Sequence, residues 1–225
     1  MAKNTNLEAL YPFLYGRKQE PQAVNAALIE SVRQKMSHHH EIIDSFFAKN
    51  SQAVVDAAGA IADVYRGDGR LYTMGNGGSS CDAAHLAVEF QHPVTAGRPA
   101  LTAIDLTADT AMMTAVSNDV GFSHIFVRQV IAQVRPGDGL VGLSTSGNSE
   151  NLISAFLKAK EMGIVTIGLT GMSGAKMAEI GLDHCLVVET DSIHRIQECH
   201  VAIYHVLWDL VHTLLADDRG NLPVS

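Results

Sequence analysis

Two pairs of side chains that can move protons or bind metal ions lie on two predicted helices. His85 and Glu89 are four residues apart and therefore share one helix face, and Gln197 and His205 are two turns apart on the last predicted helix. A carboxylate and an imidazole are common general bases and general acids. Each pair alone is weak evidence, because a His–Glu pair is usually a surface pair and a histidine in an apolar helix usually belongs to the core.

A glycine-rich turn precedes the first of these helices. The stretch Met74-Gly75-Asn76-Gly77-Gly78-Ser79-Ser80 joins a short apolar run, residues 70–74, to the predicted helix 81–90. A strand that passes through glycines into a helix leaves free backbone N–H groups at one point, and the helix dipole adds partial positive charge there. The turn therefore predicts an anion site, and it strengthens the case for His85 and Glu89, which follow it directly.

A second turn repeats this arrangement with hydroxyl groups. The apolar run 140–143 is followed by Ser144-Thr145-Ser146-Gly147-Asn148-Ser149 and then by a predicted helix, 149–162. Two such turns on neighbouring parallel strands can hold one phosphate with backbone amides and several hydroxyls. The remaining chain has to place the helices of Glu89 and His205 beside that phosphate.

Five apolar runs alternate with helical patterns along the chain, which predicts an α/β fold with a parallel sheet covered on both faces. The predicted strands are residues 70–74, 100–106, 140–143, 164–169 and 186–188. Helices are predicted over 21–50, from an N-cap at Ser51 to Arg66, from a cap at Asp109 to Asn118-Asp119, over 123–134, and from about 192 to 217. We predict one domain over 21–219, with an N-terminal arm, 1–20, and a tail, 220–225.

The last helix carries apolar residues at an alternating spacing of three and four, which is typical of a helix-bundle seam. These residues are Ile193, Ile196, His200, Ile203, Leu207, Leu210 and Leu214. The two predicted N-terminal helices are the natural partners of this seam, within one subunit or between subunits. The pattern predicts an oligomer interface formed by helices.

The composition limits the class of protein. The 225 residues carry a formal net charge of −8, which argues against a general nucleic-acid-binding protein. The three cysteines are far apart, so neither a disulfide framework nor a thiolate zinc site is expected. The first residues lack the pattern of a signal peptide, and no run of about 18 apolar residues predicts a membrane span, so we expect a cytoplasmic protein. His38-His39-His40 point about 100° apart on a helix and predict a solvated face.

Three motifs in this order resemble the sugar isomerase (SIS) domain, and within it the phosphoheptose isomerase branch. They are Gly75-Asn76-Gly77-Gly78-Ser79, Ser144-Thr145-Ser146-Gly147-Asn148-Ser149, and Arg195-Ile196-Gln197-Glu198 followed by His200 and His205. The resemblance covers roughly residues 50–215. It implies a flavodoxin-like five-stranded sheet and a homotetramer with active sites between subunits. The implied reaction interconverts sedoheptulose 7-phosphate and D-glycero-D-manno-heptose 7-phosphate.

The resemblance also implies roles for individual residues. Glu89 and His205 match the acid/base pair of the family, and His85, Glu89, Gln197 and His205 match positions that hold zinc in some members. Residues at both turns and an Asn–Asp pair match positions that contact the sugar phosphate; these are Asn76, Gly77, Gly78, Ser79, Ser144, Thr145, Ser146, Ser149, Asn118 and Asp119, together with Gln197. No nucleotide cofactor is expected, because Ser80 stands where the third glycine of a dinucleotide-binding motif would be.

The sequence departs from the family at three places. Pro93 occupies the position of an arginine, whose charge Arg98 could replace, and His194 stands where a small or acidic residue is common. The N-terminal extension is also longer than the usual start of the family. These departures bear on the identity of the sugar more than on the type of reaction. Two alternatives therefore stay open: a non-catalytic SIS tetramer of the replication-initiator-associating type, and an isomerase of another phosphoketose.

Overall fold

The computed structural model describes residues 21–216, which form a five-stranded parallel sheet and the helices around it. The predicted arm and tail, 1–20 and 220–225, lie outside the described residues. The chain divides into two compact units, Met1–His40 and Glu41–Ser225. The elements, in chain order, are α1 (Pro21–Arg66), β1 (Leu71–Gly75), α2 (Gly78–Gln91), β2 (Ala103–Asp105), α3 (Thr110–Asp119), a 3₁₀ turn (Phe122–His124), α4 (Ile125–Gln133), β3 (Gly139–Ser144), α5 (Glu150–Glu161), β4 (Val165–Gly171), α6 (Ala175–Glu179), β5 (His184–Val188) and α7 (Ile193–Ala216).

The strands are ordered β2-β1-β3-β4-β5, and every pairing is parallel. This is the flavodoxin-like order, in which the chain reverses direction across the sheet between β1 and β3. The five predicted strands are confirmed. The second is shorter than predicted, because the N–H of Leu101 bonds the carbonyl of Phe90 at the end of α2 and does not join the ladder.

Alternate side chains of each strand pack into two apolar layers, one on each face of the sheet. In β1, Leu71 belongs to the layer that contains α2, α7 and the C-terminal part of α1. Tyr72 and Met74 belong to the opposite layer, with α3, α4 and α5. All six residues of β3 are buried, as expected for a central strand covered on both faces.

The predicted break between two N-terminal helices at Ser51 is wrong, because α1 is continuous from Pro21 to Arg66. The Ser51 hydroxyl donates to the carbonyl of Phe47, and the Asn50 amide donates to Phe46, four residues earlier in each case. Both side chains therefore bond back along a helix and do not cap a new one. In the N-terminal unit, His38 and His40 are exposed, as predicted.

Most of the seam of α7 packs within its own chain, although Ile193 at its start is exposed. Ile196, His200, Ile203 and Leu207 are fully buried in the layer that contains α2 and the sheet. Burial lowers the pKa of His200 to about 4, and its Nε2 bonds the Thr170 carbonyl at 3.2 Å, so it is a neutral core histidine. The 3,4 spacing therefore marks the core face of the subunit, and the oligomer interface stays a prediction.

Among the helices between residues 21 and 216, α7 is the one that meets the length and composition of a membrane span. Half of its most apolar window is buried inside the protein. It contacts α2, β4 and β5, so we interpret it as a core helix.

Candidate active site

The two predicted turns lie side by side at the carboxyl edge of the sheet. β1 and β3 are neighbours, with Gly75 paired with Leu143 at their ends. Gly77, between β1 and α2, has φ 56° and ψ −123°, a conformation that strongly favours glycine. In a sheet of this topology, ligands bind where the strand order reverses, which is here between these two turns.

Neither helix that begins at these turns has a side-chain cap. α2 is preceded by Gly77, which has no side chain, and Ser149, which precedes α5, makes no capping bond. The Ser149 hydroxyl instead lies 3.0 Å from the Ser144 hydroxyl. Within these first turns, the N–H groups of Ser79 and Ser80 bond the carbonyls of Asn76 and Gly77, and that of Leu152 bonds Asn151 Oδ1. No capping side chain occupies either helix start, and the positive end of each helix dipole favours an anion there.

Hydroxyl groups shape the second turn. The N–H of Gly147 donates to Ser144 Oγ at 3.2 Å, and the N–H of Asn148 donates to Ser146 Oγ at 3.3 Å. Thr145 lies between them and is partly exposed. These groups can bind several oxygens of one phosphate without any cationic side chain.

A pair of asparagines joins the two turns. The Asn76 amide donates to Asn151 Oδ1 at 2.9 Å, and the Asn151 amide donates back to Asn76 Oδ1 at 2.9 Å. Asn151 is only 2% exposed, at the start of α5. This reciprocal bond fixes the separation of the turns. Sequence reasoning missed Asn151, since no local pattern distinguishes it.

Three of the predicted acid/base and metal-binding residues converge in the single chain. His85 Nε2 lies 3.1 Å from Glu89 Oε1, and the His85 ring lies edge-on to the His205 ring at 5.2 Å. One ligand atom from each of His85, Glu89 and His205 can be chosen so that all three lie within 4.8 Å of one another. We call these three residues the proton cluster.

Tyr204 fixes the orientation of His85. Its hydroxyl lies 2.7 Å from His85 Nδ1. A carboxylate can only accept, so His85 donates from Nε2–H to Glu89, and its Nδ1 accepts from the Tyr204 hydroxyl. Burial, followed by the negative charges of Asp82 and Glu89, raises the pKa of Tyr204, so the hydroxyl stays protonated. Sequence reasoning missed this residue too.

His205 is placed to act as a neutral imidazole. Burial, followed by the nearby His85, lowers its pKa, and Glu89 opposes that shift. The ring is partly exposed and lies 4.8 Å from the Tyr204 ring. A neutral imidazole has one donor and one acceptor nitrogen, as a proton shuttle between two oxygens requires.

Gln197 lies beside the first turn and contacts a buried carboxylate that sequence reasoning missed. Its Nε2 donates to Asp82 Oδ2 at 3.1 Å. A Cβ added to Gly78 would lie 2.4 Å from the same nitrogen, so the carboxamide packs directly on the first residue of α2. Burial is the largest effect on the pKa of Asp82 and raises it, while the Gln197 hydrogen bond and His85 lower it.

The predicted Asn–Asp pair lies elsewhere in the single chain. Asn118 and Asp119 are exposed at the end of α3, and the Asn118 amide donates to Asp119 Oδ1 at 2.9 Å. Among the described residues, no hydrogen bond joins this pair to the proton cluster.

Arg98, considered as a replacement for the charge missing at Pro93, lies against α7. It forms an ion pair with Asp209, and its guanidinium lies 4.3 Å from the centre of the Trp208 ring. Trp208 donates its indole N–H to the main-chain carbonyl of Glu89 at 2.8 Å. Arg98 thus packs on the tryptophan that bonds the main chain of Glu89. In the described part of the chain, no hydrogen bond joins Arg98 to the two turns.

The donors of the proton cluster fit a divalent ion. Imidazole nitrogens and a carboxylate oxygen are ligands that zinc accepts. With an ion on Nε2 in place of the proton, His85 would carry its proton on Nδ1 and donate it to the Tyr204 oxygen. A group of side chains that can hold a metal ion is therefore present among the described residues.

Comparison with known proteins identifies the relatives of this chain. Residues 36–171 match the model of the SIS domain family. The phosphoheptose isomerase of Geotalea daltonii is 41% identical over 192 residues, 85% of this chain and 100% of the relative. That of Aquifex aeolicus is 40% identical over 190 residues, 84% of this chain and 99% of the relative.

Solved structures show the same likeness. The phosphoheptose isomerase of Neisseria gonorrhoeae matches with a TM-score of 0.78 and 37% identity, over 83% of this chain and 99% of that one. The enzyme from Francisella tularensis matches with a TM-score of 0.74 and 33% identity, over 87% of this chain and 100% of that one.

Proposed function

This chain belongs to the SIS domain family, among the phosphoheptose isomerases, and we propose on that premise that it interconverts sedoheptulose 7-phosphate and D-glycero-D-manno-heptose 7-phosphate. The observation that carries this proposal is the proton cluster: His85, Glu89 and His205 offer ligand atoms within 4.8 Å of one another on two helices. One of these helices, α2, begins at an uncapped anion-binding turn. A phosphate group and a carbonyl group of one sugar can be served by this arrangement.

The phosphate is bound by the two turns. The proposed contacts are the N-terminal ends of α2 and α5 and the hydroxyls of Ser144 and Ser149, with the Asn76–Asn151 bond fixing the distance between the turns. Binding energy gained at the phosphate is then available to orient C1 and C2 of the sugar at the proton cluster.

Glu89 and His205 carry the proton transfers. Glu89 removes a proton from C1 of the ketose, which leaves an enediol(ate), and returns a proton to C2 to form the aldose. His205 moves a proton between the oxygens on C1 and C2, which a neutral imidazole can do. The reaction is balanced, since the same number of protons is removed and returned.

Zinc is the proposed metal, held by His85, Glu89, Gln197 and His205. When bound, it supplies a Lewis acid that polarises the sugar carbonyl. The donor chemistry of the proton cluster and the outer bond from Tyr204 to His85 support this assignment.

Zinc removal gives the first prediction. Dialysis against a chelator should lower kcat/KM and the melting temperature, and one equivalent of zinc per chain should restore both; at 100 times Kd the ion contributes about 2.7 kcal/mol to folding stability. Metal content and melting temperature are measured together. A chain that binds no zinc and keeps full activity would contradict the assignment.

The Gly78–Gln197 contact gives the second prediction. In Gly78→Ala the new Cβ would lie 2.4 Å from Gln197 Nε2, so the carboxamide has to move. A displacement of about 1 Å at a reacting site can cost about 100-fold, and we expect a fall of that order in kcat/KM for sedoheptulose 7-phosphate. Gly59→Ala is the matched control, because that glycine has nothing within 4 Å and should keep full activity. Equal activity of both variants would contradict the prediction.

A homotetramer with active sites between subunits is proposed for the assembly, and the cytoplasm for its location. Four large apolar side chains on one stretch of the N-terminal unit support association, since they are exposed in the single chain; they are Leu28, Ile29, Val32 and Met36. In this assembly Asn118 and Asp119 would contact substrate. Light scattering that gives the mass of one chain, 24.1 kDa, would contradict it.

The assay that tests the proposed function follows sedoheptulose 7-phosphate by NMR beside a panel of other phosphoketoses. We expect an aldose product from the seven-carbon sugar at the highest kcat/KM. A higher value for another sugar would favour the alternative isomerase, to which Pro93 and His194 point. No product from any sugar would favour the non-catalytic tetramer.

A further inference from the structure

We propose that Asp82 is a positioning residue that turns the carboxamide oxygen of Gln197, and not its nitrogen, toward the metal at the proton cluster. This inference rests on the proposed function, in which Gln197 is the fourth ligand. Three features support it: the hydrogen bond between Asp82 and Gln197, the packing of Gly78 on the same amide, and the charges around them.

The hydrogen bond decides which amide atom faces Asp82. Gln197 Nε2 lies 3.1 Å from Asp82 Oδ2. An ionised carboxylate can only accept, so the atom of Gln197 turned toward it must be the NH₂ group. No hydrogen bond to Gln197 Oε1 is found among residues 21–216, and this oxygen is therefore left for a ligand.

Burial of Asp82 stabilises this orientation of the Gln197 amide. Asp82 is 7% exposed, so bulk water competes little for its oxygens. Gly78 closes the other side of the amide, since a Cβ there would lie 2.4 Å from Nε2 and 2.8 Å from Oε1. The carboxamide is thus held between a carboxylate on one turn of α2 and a glycine on the turn before it.

The orientation matters for a cation because the two ends of an amide have opposite polarity. An oxygen directed at the metal is a ligand, whereas an NH₂ group in its place would point partial positive charge at the ion. Asp82 also lies three residues before His85 on α2, on the same side as the proton cluster. Asp82 therefore adds a negative charge near the ligands and does not bind the ion itself.

Outer partners of metal ligands typically influence metal affinity 10- to 100-fold. We therefore expect Asp82→Ala to weaken zinc binding by about 10-fold or more, measured by competition with a chromophoric chelator, and to lower kcat/KM for sedoheptulose 7-phosphate in parallel. Asp82→Asn keeps the shape of the side chain and should lose less, because its own amide oxygen can still accept from Gln197.

A double-mutant cycle separates positioning from general stabilisation. In Gln197→Glu a carboxylate faces Asp82, and the like charges repel; in Asp82→Asn combined with Gln197→Glu, the new amide at position 82 can donate to the new carboxylate. The compared quantity is the zinc affinity with Gln197→Glu divided by the affinity without it. We expect this ratio to be at least about fivefold higher in the Asp82→Asn background than in the native background. A purely structural role of Asp82 would give no such coupling.

Asp183→Asn is the matched control. Asp183 accepts from the N–H and hydroxyl of Thr166 near the N-terminal ends of β4 and β5, far along the strands from the turns. We expect it to lower the melting temperature and leave zinc affinity unchanged. Native zinc affinity in Asp82→Ala, additivity within twofold in the cycle, or a wild type that binds no zinc would each overturn the inference. If the wild type binds zinc and the cycle shows the coupling, but the wild type converts no sugar, the proposed function alone is overturned.

Discussion

We expect Glu89→Gln to lower kcat for sedoheptulose 7-phosphate by about 10³-fold, while KM changes little. The substitution keeps the length of the side chain and a carbonyl oxygen that can accept from His85 Nε2, which lies 3.1 Å away in the native protein. It removes the group that takes a proton from C1 and returns one to C2, and general-base catalysis of this kind contributes about 10²- to 10⁴-fold. Steady-state kinetics with a coupled assay measures the loss.

Glu161→Gln is the control for this variant. Glu161 is exposed at the end of α5, where it pairs with Lys158 at 2.9 Å, and its loss should leave kcat unchanged. The zinc content of Glu89→Gln is measured in the same preparation, because Glu89 is also a proposed ligand. Wild-type kcat in Glu89→Gln would remove it from the role of base.

We expect His205→Gln to lower kcat by about 100-fold, since an amide cannot pass a proton between the oxygens on C1 and C2. The phosphate contacts lie on α2, α5 and their turns, so KM should stay within a few-fold of the native value. The native imidazole is kept neutral by burial and by His85, which lower its pKa. The loss should therefore be present throughout the neutral range, as the pH profile of kcat measures.

His184→Gln is the matched control for His205. His184 begins β5, at the N-terminal end of the strand, and is paired in register with Ile167. We expect native kcat in this variant. A fall in kcat that zinc content fully accounts for would show that His205 acts only as a ligand, contrary to the proton-shuttle role.

The sheet and the two turns were predictable because their signals are local. Apolar runs flanked by glycine and hydroxyl residues mark β1 and β3, and the parallel arrangement then places Gly77 and Ser144 at one edge. The convergence of Glu89 and His205 required the family resemblance as well. The spacing of residues on α2 says nothing about which residue of α7 lies opposite.

The residues that hold the site together could not be predicted in the same way. Tyr204 meets His85 across 119 residues, Asp82 meets Gln197 across 115, and Asn151 meets Asn76 across 75. Each is a polar residue in a helix whose partner is set by tertiary packing alone. A buried carboxylate or amide looks, in the sequence, like any solvated one.

Two local patterns, at Ser51 and on α7, have a meaning that only the fold decides. Ser51 follows Asn50, and this polar pair resembles the start of a helix, but both side chains bond carbonyls four residues earlier in α1. The 3,4 spacing on α7 predicted a seam with the N-terminal helices, within or between subunits. Within the chain, Ile203 and Leu207 pack in the layer that holds the C-terminal part of α1, and an interface between subunits stays a prediction. A local pattern indicates that a side chain is hydrogen-bonded or buried, but the tertiary fold determines which residues it contacts.

The most direct test of the account follows the carbon-bound hydrogen during turnover in D₂O. Sedoheptulose 7-phosphate is incubated with the native protein and with Glu89→Gln, and deuterium at C2 of the aldose is measured by NMR. We predict that the native protein incorporates solvent deuterium at C2 of the aldose during turnover. Glu89→Gln should form this deuterated aldose much more slowly. Deuterated aldose that forms at the native rate in Glu89→Gln would contradict proton transfer through an enediol at Glu89.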